Sequence, residues 1–291
     1  MPRPRVSVVV PALNEQGNLA HVLPRIPALV DEVILVDGAS TDETVAVARR
    51  LMPKIRVVQQ RGAGKGAALR TGFRASTGDI IVTIDADGST DPAEIPYFVH
   101  ALLSGADVAK GSRFLHGGGT SDMPLHRRLG NGVFVHLVRR LYGGRYTDLC
   151  YGYNAFWRRS LEILDLDGDG FEIETMINIR VLRAGLRIFE VPSFESRRVW
   201  GDGRLRTIPD GWRVLKTIFR ERRRPGRRYP PHYVRPEFLS DDASVSRTGW
   251  PWDMQDPGRD HVRRPLAVIE GRGDDTRATG IVAARSDRVS G

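Results

Sequence analysis

The segment Gly78–Ser89 constrains the fold of this chain more than any other. It reads Gly-Asp-Ile-Ile-Val-Thr-Ile-Asp-Ala-Asp-Gly-Ser, a β-branched apolar run that ends in two carboxylates. Such a run between turn residues predicts a strand that is buried on both faces. Alternate residues of an extended chain share a face, so Asp85 and Asp87 are predicted to project together from the strand's end. Their repulsion favours a divalent ion such as Mg²⁺ between them, with water and phosphate oxygens as further ligands.

Strand and helix patterns alternate through the first half of the chain. Strands are predicted at 5–10, 32–36, 55–59, 80–87 and 108–111, and helices at 16–29, 40–51, 65–75 and 92–103. The second of these helices has a capping box, in which Ser40 is followed by Glu43 three residues later. This alternation predicts βαβ units and hence an α/β fold, a mostly parallel twisted sheet flanked by helices. Several strands end in polar loops of small residues, which predicts a ligand-binding edge at their carboxyl ends.

The second half carries weaker patterns. A polar glycine-rich loop at 114–122, predicted to be mobile, precedes a helix at 127–142 whose apolar face contains Leu129, Val133, Leu137 and Leu141. A helix at 171–184, a strand at 186–192 and a loop at 196–206 follow. A basic amphipathic helix is predicted at 210–223, with Trp212, Leu215, Ile218 and Phe219 on one side. Two roles are open for this helix, contact with an anionic membrane surface and docking on its own domain.

Composition sets the domain organisation. The chain has 291 residues and a formal net charge of +9, with arginine concentrated after residue 196. Residues 1–224 are predicted to form one domain, and 225–291 an Arg/Pro/Gly/Asp-rich, disordered tail. The single cysteine fits a reducing compartment, and no signal peptide or membrane-spanning run of roughly 20 apolar residues is visible. These observations predict a cytoplasmic protein, and the basic helix leaves open a peripheral position at the cytoplasmic face of the membrane.

Three motifs admit other functions. The run Gly62-Ala63-Gly64-Lys65-Gly66-Ala67 matches the dinucleotide fingerprint and makes an NAD-dependent oxidoreductase a remote alternative. It is not a P-loop, because no Ser or Thr follows Lys65. The run 165–170 copies half of a calcium loop but lacks the final Glu, and is interpreted as the lead-in to a helix. The basic C-terminal third suggests a nucleic-acid binder, but no interleaved stacking aromatics accompany it, so no nucleic acid is expected as a partner.

Taken together, the motifs resemble the family 2 glycosyltransferases, and within them the dolichol-phosphate mannose and glucose synthases. The resemblance covers roughly residues 6–219. It is carried, in the family's order, by Val-Val-Pro11-Ala-Leu-Asn14-Glu15, Val-Asp37-Gly-Ala-Ser-Thr-Asp42, Gly64-Lys65-Gly66-Ala, Asp85-Ala-Asp87-Gly, Gly111-Ser-Arg113, Asp148–Tyr153, Phe171-Glu-Ile-Glu174 and Arg198-Val-Trp-Gly-Asp-Gly-Arg204.

The resemblance implies a GT-A fold and an inverting hexosyltransferase. Its donor would be GDP-mannose or UDP-glucose, its acceptor a polyprenyl phosphate at an anionic membrane, and its cofactor Mg²⁺ or Mn²⁺. The residues implied to bind the nucleotide sugar are Pro11, Leu13, Glu15, Asp37, Lys65, Asp85, Ala86, Asp87 and Arg113. By the same resemblance, Asp85 and Asp87 would bind the metal, and Asp87, Asp148 and Glu174 would have catalytic roles. Contacts with donor or acceptor phosphates are implied for Arg198 and Arg204.

The acceptor is open at this point. A same-fold transferase that acts on a soluble hydroxyl acceptor or a glycan is the alternative, and such an acceptor needs a carboxylate base within reach. A lipid phosphate is already ionised, so Asp148 and Glu174 would position groups instead. The chain also departs from the family pattern at Gly38 and Ser89, and it has a polar tail where relatives often have C-terminal membrane helices.

Overall fold

A sheet in which six strands run in the same direction forms the centre of the molecule. The computed structural model of the chain describes residues 3–224 and 267–269. The strands are β1 (Val6–Ala12), β2 (Glu32–Asp37), β3 (Arg56–Gln59), β4 (Ile80–Thr83), β5 (Val108–Ser112), β6 (Gly119–Thr120), β7 (Asn154–Trp157), β8 (Ile188–Pro192), β9 (Phe194–Glu195) and β10 (Ala267–Ile269). Their order in the main sheet is β10-β8-β5-β7-β4-β1-β2-β3, and β6 pairs with β9 separately.

Helices cover both faces of this sheet. They are α1 (Leu19–Val22), α2 (Thr44–Leu51), α3 (Lys65–Ala75), α4 (Ile95–Leu103), α5 (Leu125–Tyr142), α6 (Arg158–Leu164), α7 (Glu172–Ala184) and α8 (Thr207–Arg223), with short 3₁₀ helices at Leu23–Arg25 and Pro92–Glu94. Strand β1, which is mostly apolar, contributes side chains to the core on both faces of the sheet. Val8 and Val10 enter the core on the side of α1 and α4, whereas Val9 enters the core on the side of α3 and α7. A strand covered on both faces needs apolar side chains at consecutive positions.

The structure confirms the predicted mostly parallel α/β architecture, with one antiparallel strand inside it. Strand β7 lies between β4 and β5 and runs antiparallel to both. This insertion brings the turn that precedes β7 to the carboxyl end of β4. The Thr83 hydroxyl donates to the Gly152 carbonyl at 2.8 Å. The acidic loop after β4 and the segment 147–153 therefore meet at one edge.

Several local predictions are wrong at their boundaries. The helix predicted to reach residue 29 is only α1 and a 3₁₀ turn, because Pro24 and Pro27 cannot donate helical hydrogen bonds. The capping box does not form. Helix α2 begins at Thr44, whose amide is capped by the Asp42 carboxylate at 3.0 Å, and neither Ser40 nor Glu43 caps it.

The extent of β4 changes the argument for the paired acids. Its strand ends at Thr83, so Asp85 and Asp87 lie in the following loop, where strand alternation no longer governs their directions. The segment predicted as an irregular mobile loop contains β6, which pairs in parallel with β9. The prediction of a disordered tail concerns residues that lie outside those described, except for Ala267–Ile269, which pair antiparallel with β8.

Candidate active site

The carboxyl ends of β1 and β2 form one wall of the predicted ligand-binding edge. Pro11 pairs with Val36, and two loops then cross-link through side chains of the 13–18 and 38–44 segments. The Asn14 amide oxygen accepts from the Thr41 amide at 2.7 Å, and the Glu15 amide donates to the Thr44 hydroxyl at 2.8 Å. Asn14 adopts a left-handed conformation, with φ of 54°, which only a few non-glycine residues tolerate.

The predicted nucleotide residues near this wall are held in place by these two loops, by the loop 196–206 and by the loop after β4. The Asp37 carboxylate is buried and accepts from the Ser40 amide at 3.2 Å. The Leu13 carbonyl accepts from Arg204 at 2.8 Å. Ala86 is buried in the loop after β4. These positions meet at one edge as predicted, and their nucleotide contacts stay predictions.

A buried lysine joins two of the predicted site carboxylates. The Lys65 ammonium at the start of α3 lies 2.8 Å from Asp85 Oδ1 and 2.7 Å from Glu174 Oε1 of α7. Burial lowers the pKa of Lys65, but the two carboxylates outweigh it and hold the pKa above its ordinary value. Burial raises the pKa of Glu174, and the nearby ammonium groups, that of Lys65 above all, only partly offset that rise. The Lys65 ammonium is thus shared by the Asp85 and Glu174 carboxylates.

Gly152 allows this ion cluster to form. A Cβ at this position would lie 2.7 Å from Lys65 Nζ and 2.7 Å from Glu174 Oε1. The backbone of the segment before β7 therefore passes directly against the three charged groups, and a larger residue here would displace the ends of their side chains.

The glycine-rich start of α3 does not form a dinucleotide cradle. The Gly66 and Ala67 amides both donate to the Asp169 carbonyl, at 2.7 and 3.2 Å. A Cβ on Gly66 would lie 2.3 Å from the Gly168 carbonyl oxygen, so the glycines serve close packing of the 165–170 loop. Because these amides are already bonded, they do not present the donors that bind pyrophosphate in dinucleotide enzymes. Asp167 and Asp169 pair with Arg180 and Arg70 instead of forming a calcium loop.

Asp87 faces a different cation from Asp85. Arg198 Nη1 lies 3.4 Å from Asp87 Oδ2, and Arg198 Nη2 lies 2.6 Å from both Oε1 and Oε2 of Glu15. The Ser89 amide also donates to Asp87 Oδ1, at 3.0 Å. The loop 196–206 therefore crosses the edge of the sheet and brings Arg198 to the predicted metal residue.

A third ion cluster lies where β5 ends. Arg113 donates from Nε and Nη2 to the two Asp148 oxygens, at 2.7 and 3.0 Å, and from Nη1 to Glu195 at 3.0 Å. The Tyr151 ring lies under the guanidinium at 4.7 Å. Burial alone raises the pKa of Asp148, but Arg113 and Lys110 reverse the effect and hold the pKa below its usual range.

Two buried charged residues near Asp148 were not predicted from the sequence. Lys110 of β5 is fully buried and donates to the Tyr151 carbonyl at 3.3 Å. Glu190 of β8 accepts from the Thr147 amide at 3.0 Å and from its hydroxyl at 2.8 Å. Burial raises the pKa of Glu190 to about 7. A charged residue inside an apolar strand pattern, as in Val-Ala-Lys-Gly-Ser, was the available signal for Lys110.

The acidic edge fits a divalent ion that is shared with a ligand. Among residues 3–224 and 267–269, no cluster of three or more His, Cys, Asp or Glu side chains is arranged to hold a metal alone. Mg²⁺ and Mn²⁺ complexes of nucleotides need fewer protein ligands, since phosphates and waters supply the rest. Asp87, partly exposed at the edge, has the hard oxygen donors that such an ion prefers.

The model of the family described as "Glycosyl transferase family 2" matches residues 7–164, which contain β2–β7, all but the first residue of β1, and the acidic loop. The chain belongs to glycosyl transferase family 2. This assignment confirms the predicted family, and the match includes Asp37, Lys65, Asp85, Asp87, Arg113 and Asp148. Glu174, Arg198 and Arg204 lie beyond the matched region.

Curated relatives of this glycosyltransferase are about 30% identical to it over the aligned residues. The polyprenol monophosphomannose synthase of Mycolicibacterium smegmatis is 32% identical over 213 residues, which cover 69% of this chain and 80% of the relative. The dolichol-phosphate mannosyltransferase of Pyrococcus furiosus is 29% identical over 212 residues, or 69% of this chain and 59% of the relative. The hexosyltransferase Agl6 of low-salt glycan biosynthesis in Haloferax volcanii is 32% identical, over 73% of this chain and 52% of the relative. The chain thus spans little more than half the length of the last two.

Solved structures confirm the GT-A type of fold. Glucosyl-3-phosphoglycerate synthase from Mycobacterium tuberculosis, in complex with Mn²⁺, UDP and glucosyl-3-phosphoglycerate, superimposes with a TM-score of 0.60 at 25% identity. The match covers 76% of this chain and 81% of that one. Within the part of the glycosyltransferase that the structure describes, no helix combines the length and the apolar character that crossing a membrane requires.

Proposed function

We propose that this glycosyltransferase transfers a hexose, mannose or glucose, from a nucleotide-diphosphate sugar to a polyprenyl phosphate, with Mg²⁺ or Mn²⁺ bound at Asp87 and Asp85. The observation that carries the choice of acceptor is an exposed apolar face beside the site. We name it the α5–α8 face and define it by Leu125, Leu129, Val133, Ile208 and Trp212, each more than half exposed, with Trp212 at 67%.

The α5–α8 face begins where the loop 196–206 ends. Arg127 of α5 donates to the Leu205 carbonyl at 3.2 Å and to the Thr207 hydroxyl at 3.1 Å, which joins the start of α5 to the start of α8. Helix α8 packs on the domain through Val214 and Ile218, so it is docked and still leaves Trp212 exposed. A phosphate held by Arg204 would place its prenyl chain near this face.

Charge on the two helices suits an anionic membrane. The same two helices carry exposed basic side chains, namely Arg128, Arg139, Arg140, Arg213, Lys216 and Arg220. Exposed apolar clusters rimmed by polar residues mark interaction sites, and basic side chains are attracted to anionic leaflets. Leu129 and Val133, which the sequence pattern suggested for a packed helix face, are more than half exposed, whereas Leu137 and Leu141 pack on the core. This division supports a membrane contact at the amino end of α5.

The proposed reaction is a single displacement with inversion. An oxygen of the lipid phosphate attacks the sugar carbon, the bond from that carbon to the diphosphate oxygen breaks, and the nucleoside diphosphate leaves with the bonding electrons. A bound divalent ion would stabilise the negative charge that develops on the leaving group. Arg198 and Arg204 would bind phosphate oxygens, because guanidinium groups bond them in pairs and stay charged.

The state of the two candidate catalytic carboxylates agrees with an acceptor that is already ionised. Asp148 is paired with Arg113 through both oxygens, and Glu174 is paired with Lys65. A carboxylate engaged in a buried ion pair is poorly placed to take a proton from a hydroxyl group. We therefore assign Asp148 to hold Arg113 in place, and Glu174 to hold Lys65 and Asp85.

A transfer assay tests this proposal. The full chain is incubated with Mn²⁺, undecaprenyl phosphate and radiolabelled UDP-glucose or GDP-mannose, and label is expected in the lipid fraction. Asp87→Asn should abolish the transfer, while Asp122→Asn, on a surface loop, should leave it unchanged. If neither nucleotide sugar is consumed, the proposal fails.

A soluble acceptor is the second candidate, favoured by the structural similarity to glucosyl-3-phosphoglycerate synthase. The same assay distinguishes it when 3-phosphoglycerate replaces the lipid. Label that appears only in a water-soluble phosphorylated product would establish this second candidate.

Vesicle sedimentation tests the α5–α8 face separately. Removal of two exposed apolar side chains in Leu129→Ser/Trp212→Ser should weaken binding to anionic vesicles by about tenfold or more, since each buried side chain contributes roughly 1.5–3 kcal/mol. Tyr97→Ser, an exposed aromatic on α4, is the matched control and should bind like the unmodified chain. Equal binding by all three proteins would contradict a membrane role for this face.

A further inference from the structure

The loop 196–206 places a permanent cation at the carboxylate that the proposed metal would use. Arg198 Nη2 contacts both Glu15 oxygens at 2.6 Å, and Nη1 lies 3.4 Å from Asp87 Oδ2. The side chains of Arg198 and Glu15 are 15% and 8% exposed, so water screens the interaction weakly. Charge-assisted hydrogen bonds of this length are among the strongest in proteins.

Further contacts hold the loop in this position without using the carboxylates of the metal site. The Trp200 amide donates to Asn18 Oδ1 at 2.7 Å, and Asn18 Nδ2 donates back to the Trp200 carbonyl at 3.0 Å. Arg198 Nε donates to the same carbonyl at 2.7 Å. The Trp200 side chain packs so closely on Gly17 that a Cβ there would lie 2.8 Å from it. The position of Arg198 is thus supported by the fold.

The two contacts of Arg198 differ in strength. The paired contact with Glu15 is short, whereas the contact with Asp87 is long for an ion pair. Glu15 therefore retains the guanidinium, and its charge acts on Asp87 from the side. A divalent ion that approaches Asp87 meets this positive charge at close range, and the repulsion opposes binding of the ion alone.

A diphosphate reverses this balance, because its negative charge attracts both cations. We propose that Arg198 competes with the divalent ion for Asp87 while the nucleotide is absent, and moves to the diphosphate when the donor binds. Glu15 is then a positioning residue, whose ion pair keeps the Arg198 guanidinium beside the site between turnovers. This inference rests on the proposed function, and it predicts that metal and nucleotide bind cooperatively.

Mn²⁺ binding to the full chain, measured from the electron paramagnetic resonance signal of the free ion, tests the proposal without any turnover. Arg198→Gln should bind Mn²⁺ alone about fivefold more tightly than the unmodified chain, the size of a modest coupling energy. The same variant should bind Mn²⁺ with UDP or GDP about tenfold more weakly, since hydrogen bonds to the diphosphate are lost. This opposite change of two affinities is the signature of an exchanging cation.

Arg204→Gln is the matched control. It removes the same charge from the same loop, but its guanidinium donates to the Leu13 carbonyl and not to a carboxylate. Its affinity for Mn²⁺ alone should be unchanged. Arg198→Lys keeps the charge and provides a second variant, which should bind Mn²⁺ alone no more tightly than the unmodified chain does. Circular dichroism confirms that each variant is folded.

The proposal is overturned if Arg198→Gln binds Mn²⁺ alone no more tightly than Arg204→Gln does, or shows no detectable binding. A failure of this kind, in a chain that still labels polyprenyl phosphate, would leave the proposed function standing. A chain that binds neither nucleotide with Mn²⁺ would instead remove the proposed function itself.

Discussion

Replacement of Lys65 with methionine is the most direct test of the ion cluster under the site. Methionine keeps the length of the side chain but removes the charge that Asp85 and Glu174 share, at 2.8 and 2.7 Å. The side chains of Lys65 and Glu174 are only 14% and 7% exposed, so water replaces the ammonium poorly. Loss of one partner from a buried ion pair costs about 3–5 kcal/mol. The expected loss of unfolding free energy is at the lower end, about 3 kcal/mol, since Glu174 escapes part of the cost by protonation.

The assay is urea unfolding of the full chain, followed by circular dichroism. For a domain of this size, a loss of about 3 kcal/mol lowers the midpoint of thermal unfolding by roughly 6 °C or more. The double variant Lys65→Met/Glu174→Gln removes the uncompensated buried carboxylate and should recover at least about 1 kcal/mol. The single variant should also lose stability as the pH rises. The folded-state pKa of Glu174 is raised, so its stabilising contribution is present at low pH and lost at higher pH.

Two results would refute this reasoning. If the unfolding free energy of Lys65→Met lies within about 0.5 kcal/mol of that of the unmodified chain, the cluster contributes no more than an ordinary surface interaction. A double variant no more stable than the single one would show that the buried Glu174 charge is not the source of the loss.

Two further predictions concern the segment around β7 and β8. Burial raises the pKa of Glu190 to about 7, so the unfolding free energy should fall by up to about 1.4 kcal/mol per pH unit between pH 5 and 7. Urea unfolding of Glu190→Gln should lack this contribution to the slope. An unchanged slope in the variant would contradict the prediction. Gly152→Ala should lose about 1–3 kcal/mol, because its Cβ would lie 2.7 Å from Lys65 Nζ. Gly130→Ala, in α5, is the control, because no atom lies within 4 Å of the added Cβ. Its unfolding free energy should be unchanged or rise by about 0.5–1 kcal/mol. Equal losses of stability in both variants would refute the steric explanation.

Patterns that depend on neighbouring residues were readable from the amino-acid sequence. The apolar runs of β1, β2 and β4 predicted a sheet covered on both faces, and the short polar loops after them predicted where a ligand binds. Asp37, Asp85 and Asp87 were found this way, since a strand's end and the loop after it are local features. The motif order then identified the family, which the match over residues 7–164 confirms.

Tertiary structure alone decided how the charges pair. Lys65 meets Glu174 across a separation of 109 residues, and Arg198 meets Glu15 across 183. No sequence pattern encodes such pairs, because they depend on the insertion of β7 between β4 and β5 and on the path of the loop 196–206. The same holds for the burial of Glu190 and for the partners of Lys110, although the strand pattern around Lys110 carried a signal for that residue. Coulomb interactions act through space, so the chain's order specifies which charges exist and only the fold specifies which of them meet.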